Sequence, residues 1–214
     1  MKKFLFATAI MIFAATAVSA QDSEGGAYSK GQSTVAIGYG FISPYKNLFK
    51  FTNLFAGPGE SSKYSSIGPV GLTYEYGISD KISMGLQVAY GQNKNVSTEK
   101  DGISAGKDYI VTSKLTQISA ILRGNYHFGS SSKFDPYVGL GLGYGNFKYE
   151  TTSNDPADNN DPFFDSFYNI SVPTSFGITG QVGAKYYFSS NIGMYAELGY
   201  LAGSFAQVGI NFKF

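Results

Sequence analysis

The sequence predicts an all-β fold: a closed, antiparallel, up-and-down transmembrane β-barrel of eight strands. Three observations predict it. Eight segments alternate apolar with small or polar residues. The connectors joining them are short and long by turns. The outward aromatic residues stand at the ends of the segments, with aliphatic residues between.

The chain opens MKKFLFATAIMIFAATAVSA. Lys2 and Lys3 make a basic start, Phe4 to Ala15 an apolar run, and Val18-Ser19-Ala20 a small-residue cleavage site before Gln21. These are the parts of a secretory signal peptide, so residues 1–20 are expected to be removed and the mature domain to span 21–214. The apolar run is shorter than the roughly 20 residues that a helical membrane span needs.

The strands follow in order. In 35–41, Val35, Ile37, Tyr39 and Phe41 share one face, with Ala36, Gly38 and Gly40 on the other. In 70–78, Val70, Leu72, Tyr74, Tyr76 and Ile78 alternate with Gly71, Thr73, Glu75 and Gly77. Segment 82–90 sets Ile82, Met84, Leu86, Val88 and Tyr90 against Ser83, Gly85, Gln87 and Ala89. Segment 118–128 sets Ile118, Ala120, Leu122, Tyr126 and Phe128 against Ser119, Arg123, Asn125 and His127. In 138–144, Val138, Leu140, Leu142 and Tyr144 alternate with glycines. Segment 176–188 sets Phe176, Ile178, Val182, Ala184, Tyr186 and Phe188 against Thr179, Gln181, Lys185 and Tyr187. Segment 192–200 sets Ile192, Met194, Ala196, Leu198 and Tyr200 against Tyr195, Glu197 and Gly199. The last, 206–214, sets Ala206, Val208, Ile210, Phe212 and Phe214 against Gln207, Gly209, Asn211 and Lys213.

Period-two alternation makes strands with one apolar face. An even count suits a bacterial barrel, and about 9–11 residues cross a bilayer in a tilted strand. A hairpin hidden in the long first loop would make the count ten. A soluble sandwich also alternates, but two features separate the cases. Connectors 79–81, 129–135 and 189–191 are short, while 42–66, 91–115 and 149–173 are long. Short turns at one end and long loops at the other mark a transmembrane barrel; Ala202-Gly203-Ser204 breaks the rule. Tyr76, Tyr126, Phe128, Tyr186, Phe188, Phe212 and Phe214 gather at the short-turn end, and Tyr39, Phe41, Tyr90, Tyr144, Phe176 and Tyr200 at the long-loop end. Rings with polar edges prefer the headgroup region, so two girdles around an aliphatic band mark a membrane crossing.

Composition agrees. Charged residues are 14% of the 214 and aromatics 16%, against about a quarter charged in a soluble domain. The chain has no cysteine, which excludes disulfides, thiolate chemistry and Cys-ligated metals. The formal net charge is +1 and offers no pull on nucleic acid.

The chain ends Val208-Gly209-Ile210-Asn211-Phe212-Lys213-Phe214. A terminal phenylalanine after alternating apolar residues resembles the C-terminal signal of outer-membrane barrels. With Pro136-Tyr137-Val138-Gly139-Leu140-Gly141-Leu142-Gly143-Tyr144, the mature chain resembles the family of small eight-stranded outer-membrane barrels, the OmpA-type and OmpX/OmpW-like, porin-like domains. The resemblance implies outer-membrane localisation with both termini in the periplasm and three long loops outside. It implies contact with outer-membrane lipid, including lipopolysaccharide. It also implies that Ile210, Phe212 and Phe214 are read by the barrel-assembly machinery, by strand addition. The chain ends at the barrel, so the peptidoglycan-binding role of full OmpA-type proteins is not carried over.

Side chains fill the interior of an eight-stranded barrel. Alternation points Glu75, Arg123, Lys185 and Glu197 inward, a few residues from the short-turn end. Two cations and two anions predict a paired ionic layer, because an unpaired buried charge costs several kcal/mol. Such a layer fastens the barrel; alternatively it is a gate that re-pairs to open a narrow pore.

The single histidine, His127, faces inward beside the turn holding Ser130, Ser131 and Ser132. Some small barrels trim or acylate lipid A, but that chemistry belongs at the opposite membrane face, so no enzyme activity is expected. No phosphate loop or metal–histidine motif appears, and neither cofactor nor metal is expected. The first loop carries Phe49, Phe51 and Phe55 among lysines, and the third Phe163, Phe164 and Phe167 after an acidic run. These are candidate contacts for an extracellular surface ligand. The expected function is a structural and surface-interaction role with a plugged lumen; the alternative is a narrow porin-like channel for small solutes.

Overall fold

A computed structural model describes residues 26–42, 61–100, 108–129, 131–154, 170–172 and 176–214. The signal-peptide segment and the loop phenylalanines at 49, 51, 55, 163, 164 and 167 lie outside the described residues. The strands are β1 (Ser33–Gly40), β2 (Ser61–Gly77), β3 (Ile82–Lys100), β4 (Asp108–His127), β5 (Phe134–Ser153), β6 (Ile170–Val172), β7 (Phe176–Tyr187), β8 (Ile192–Leu201) and β9 (Ser204–Lys213).

Eight of these close the barrel. Each long strand pairs antiparallel with the next, and β9 returns to pair with β1. Ser33 and Phe214 exchange both backbone hydrogen bonds at 2.9 Å, sealing the seam at the short-turn end. β6 adds three pairs to the far end of β5, Phe147↔Val172 to Tyr149↔Ile170.

Three short turns share one chemistry. The hydroxyls of Ser79, Ser131 and Ser189 accept from the amides of Ile82, Phe134 and Ile192 at 3.1, 3.3 and 3.1 Å. A serine hydroxyl that takes an amide three residues on stabilises a tight reversal. The segment before β1 crosses this end of the barrel. Gly31 N donates to Gly77 O at 2.8 Å, Ala27 N to Ser131 O at 2.9 Å, and Tyr28 OH to Ile82 O at 2.6 Å.

The alternating residues divide as the sequence predicts, but the layers are reversed from those of a soluble protein. Leu86, Leu122, Leu140, Leu198 and Ile210 are exposed, whereas Gln87, Arg123, Gln181, Glu197 and Asn211 are buried. A wall with its aliphatic side turned out is stable where the surroundings are themselves apolar, as in a bilayer core.

The structure corrects the strand limits. β2 to β5 run well past the expected segments into the connectors assigned to 42–66, 91–115 and 149–173. These extensions read as loops because Ser, Thr, Asn and Lys replace the apolar alternation there; beyond the bilayer neither face needs to be apolar. Ala206, expected on the outward face, is buried, and its neighbour Phe205 is exposed. The β8–β9 ladder is irregular just beyond it, between Leu198 and Leu201, while Ala206 itself stays paired with the exposed Leu198.

Candidate functional site: the barrel interior

The interior is built in three tiers. The lowest lies beneath Tyr28, whose ring stacks on His127 with centroids 3.6 Å apart and planes 3° apart. His127 Nδ1 is 2.8 Å from Asp135 Oδ1, and Nε2 is 2.9 Å from Ser83 Oγ. All three side chains are buried. Lys213 donates to Gly26 O at 3.0 Å and lies 4.5 Å from the centre of the Tyr187 ring.

The middle tier is ionic. Lys185 pairs with Glu75, Arg123 with Glu197, and Gln207 donates to the other oxygen of Glu197. Asn125 donates to Glu75 at 2.6 Å and Tyr137 to Glu197 at 2.7 Å. Gln181 donates to Asn125 at 2.9 Å. Lys185 also lies 4.0 Å from Asp135, which joins the two lower tiers. Buried charges are tolerable when paired and when their remaining lone pairs and protons are used. Here each carboxylate receives a cation and at least one neutral donor. The remaining cavity is about 20 Å³, lined by Thr34, Thr73, Glu75, Arg123, Tyr137, Lys185 and Tyr195 among others. That is room for about one water.

The upper tier is made by the connector that broke the length rule. Ala202 and Gly203 have positive φ, 41° and 87°, the conformation of a two-residue hairpin turn. The turn leans into the barrel: Leu201, Ala202 and Ser204 are buried, and Leu201 and Ala202 pack on Ala89 of β3. A Cβ at Gly71 would stand 2.6 Å from Leu201 Cδ1, so any larger residue on β2 would force the Leu201 side chain to shift.

This inward bend has a second effect. The β7–β8 ladder stops at Gln181↔Gly199, while β7 stays paired with β5 as far as Phe176. Residues 176–180 therefore have no β8 ladder along one edge. Beside them is a cavity of about 220 Å³, lined by Ser119, Ile121, Gly143, Tyr144, Thr179 and Tyr200 among others.

All four predicted ionic residues come together in one layer. Asp135 and Lys213 belong to the buried charges as well, and Ser83 to the histidine. Asp135 is legible in the sequence by its parity with the inward Tyr137, but the expected connector 129–135 includes it, whereas β5 begins at Phe134. Of the serines expected beside His127, Ser130 lies outside the described residues; the serine bonded to His127 is Ser83, which reaches it from β3 because Lys81 O accepts from His127 N at 2.8 Å and sets the two strands in register. Ile210, Phe212 and Phe214 lie on the last strand and its end, with Ile210 and Phe212 paired to β1.

Residues 5–213 match the family model described as outer membrane protein beta-barrel domain. The chain belongs to that family. Among curated relatives, outer membrane protein W of Escherichia coli (strain K12) is 30% identical over 118 residues, 55% of this chain and 49% of the relative. Outer membrane protein W of Salmonella typhimurium (strain LT2) is 28% identical over 126 residues, 56% and 57% of the two chains. The match thus spans about half the length of these relatives. Among solved structures, the outer membrane protein OprG of Pseudomonas aeruginosa aligns with 90% of this chain and 99% of its own, at 16% identity and TM-score 0.47. Ail, the attachment invasion locus protein of Yersinia pestis, aligns over 86% and 99% at 14% identity and TM-score 0.39. The protein is an outer-membrane β-barrel.

Proposed function

We propose that this outer-membrane barrel is a structural and surface-interaction protein whose lumen is plugged, with its termini in the periplasm and its long loops outside. The observation that carries this is the ionic tier: two buried ion pairs and their hydrogen-bonding neighbours leave a cavity of about 20 Å³ across the barrel. A hydrated ion needs a wider continuous path. The inward β8–β9 turn adds a second obstruction above it.

Single-channel conductance of the refolded barrel in a planar bilayer, beside Arg123→Ala, tests the proposal. The native protein is expected to be silent and the variant to show opening steps. Steady conductance by the native protein overturns the plugged lumen.

A second function is favoured by the side cavity next to residues 176–180. It supports passage of small solutes through the upper interior by a lateral route, without crossing the ionic tier. Solute efflux from vesicles is its test, and loss of efflux on closing the gap with Gly177→Val and Gly180→Val is its expected outcome. The loop phenylalanines remain candidate contacts for a surface ligand, and Ile210, Phe212 and Phe214 a candidate signal for the assembly machinery. No catalytic role is proposed.

A further inference from the structure

Residues 26–32 lie across the short-turn end of the barrel as a strap. The end next to β1 is fixed to β2: Gly31 N donates to Gly77 O at 2.8 Å, and Gly77 N to Gln32 O at 2.9 Å. The far end is held at three points. Ala27 N donates to Ser131 O at 2.9 Å, and Lys213 Nζ to Gly26 O at 3.0 Å. The Tyr28 hydroxyl lies 2.6 Å from Ile82 O and 2.9 Å from Ser79 O, and its one proton serves one of them at a time. Within the strap Gln32 bonds to Ser29 and Ala27 at 3.3–3.4 Å, which keeps it together as a single turn.

Three features make this strap separable from the wall. It belongs to no strand, and Ala27 is its one buried apolar residue. A segment held by a few single bonds with little apolar burial opens locally at much lower cost than the whole domain. Next, Lys30 and Gly31 are exposed. Gly31 has φ 82° with open space around the position of a Cβ, so the chain turns there without steric restraint. Last, the closed state leaves a polar group unserved. Asn211 is fully buried on β9, one inward position from Lys213, and neither atom of its amide is hydrogen-bonded among the described residues. An unpaired buried amide is costly, and access to water removes that cost.

The socket beneath is built to receive a ring. The Tyr28 side chain lies flat on the imidazole of His127, which is itself held by Asp135 and Ser83. The strap thus occupies the mouth of the lowest tier with one aromatic side chain.

We infer that residues 26–32 are a hinged lid, with Lys30-Gly31 as its hinge and Tyr28 as its catch on His127. Opening it admits water and small solutes to the tier of Ser83, His127 and Asp135, while the barrel wall and the ionic tier stay closed. The inference is independent of which side of the membrane this end faces.

Native-state hydrogen exchange on the refolded barrel tests the lid without any substitution. The Ala27 amide is expected to exchange about a hundredfold or more faster than the Ser33 amide, which donates to Phe214 O in the wall. Its rate is expected to be independent of urea below the unfolding transition. Exchange of Ala27 at the rate of Ser33, by global unfolding alone, overturns the lid. Access is read at Asn211→Cys, in a chain with no other cysteine. Sulfonatoethyl methanethiosulfonate, whose charge keeps it out of the detergent, reports on that thiol. Adding Tyr28→Ala is expected to speed its modification about tenfold or more, and Tyr28→Phe, which keeps the ring and loses the hydroxyl, about threefold. The Ser33 amide keeps its protection in both variants, and the different gel mobilities of heated and unheated samples show that each barrel is folded. Equal modification rates with and without the Tyr28 substitutions mean that the strap does not close the socket, and overturn the proposal.

Discussion

The ammonium of Lys185 and the carboxylate of Glu75 meet inside the barrel from opposite walls: their strands, β7 and β2, are separated by three others in either direction around the sheet. The pair crosses the full diameter, so it links parts of the wall that share no backbone hydrogen bond. Removing one partner leaves a buried charge unmatched. Lys185→Met is therefore expected to destabilise the folded barrel by about 3–5 kcal/mol, while Lys185→Met with Glu75→Met recovers most of the loss. Urea titration of refolded protein in vesicles measures both. Equal losses in the single and double variants would mean that the pair matters for its shape and not its charge.

Leu140 is 68% exposed on the outer wall. At such a site on a water-soluble protein, substitution costs about 0.5 kcal/mol or less. Here the surroundings are lipid, and Leu140→Arg is expected to cost about 2–4 kcal/mol near the bilayer midplane. The same titration, run in vesicles, decides between these values. A loss near the lower figure would place Leu140 outside the hydrocarbon layer.

Leu201 is fully buried on the inward turn, against Ala89 and above Gly71. Leu201→Ala is expected to cost about 2–5 kcal/mol, the range for a core leucine. Gly71→Val is expected to displace the turn, because Leu201 Cδ1 occupies the space a side chain would need. Faster amide hydrogen exchange at residues 201–205 in the valine variant, without global unfolding, is the expected signature. Unchanged exchange would show that the turn does not depend on this contact.

Ser83, His127 and Asp135 have the hydrogen-bond order of a hydrolytic triad. A working triad also needs a place for the reacting carbonyl and donors about 3 Å from its oxyanion. Ser83 is fully buried, and the Tyr28 ring covers His127. Fluorophosphonate probes are therefore expected to leave Ser83 unlabelled, and lipid A is expected to keep its acyl composition in cells with or without the protein. His127→Ala is expected to weaken the fold, since it removes the direct hydrogen bond to the buried Asp135 carboxylate and leaves it Lys185 at 4.0 Å. Probe labelling at Ser83, or a shift in lipid A mass, would make this cluster an active site.

The alternation of residues by itself determined the barrel, its eight strands and the identity of the ionic layer. Those features follow from a local rule: every second side chain of a strand faces the same way, and a bilayer demands that one face be apolar. The rule failed where the demand ends. Beyond the membrane the strands lengthen with no apolar signal, and beside the irregular stretch of the β8–β9 ladder Ala206 is buried and Phe205 exposed, against the simple alternation. Only the tertiary structure decided which charges pair, because Glu75 and Lys185 are 110 residues apart and meet only when the sheet closes. It also decided that Ser83 and Asp135 hold the histidine, and that a turn too short to be an outer loop bends inward over the lumen. Both are set by inter-strand register and by strand closure, long-range relations that no window of sequence contains.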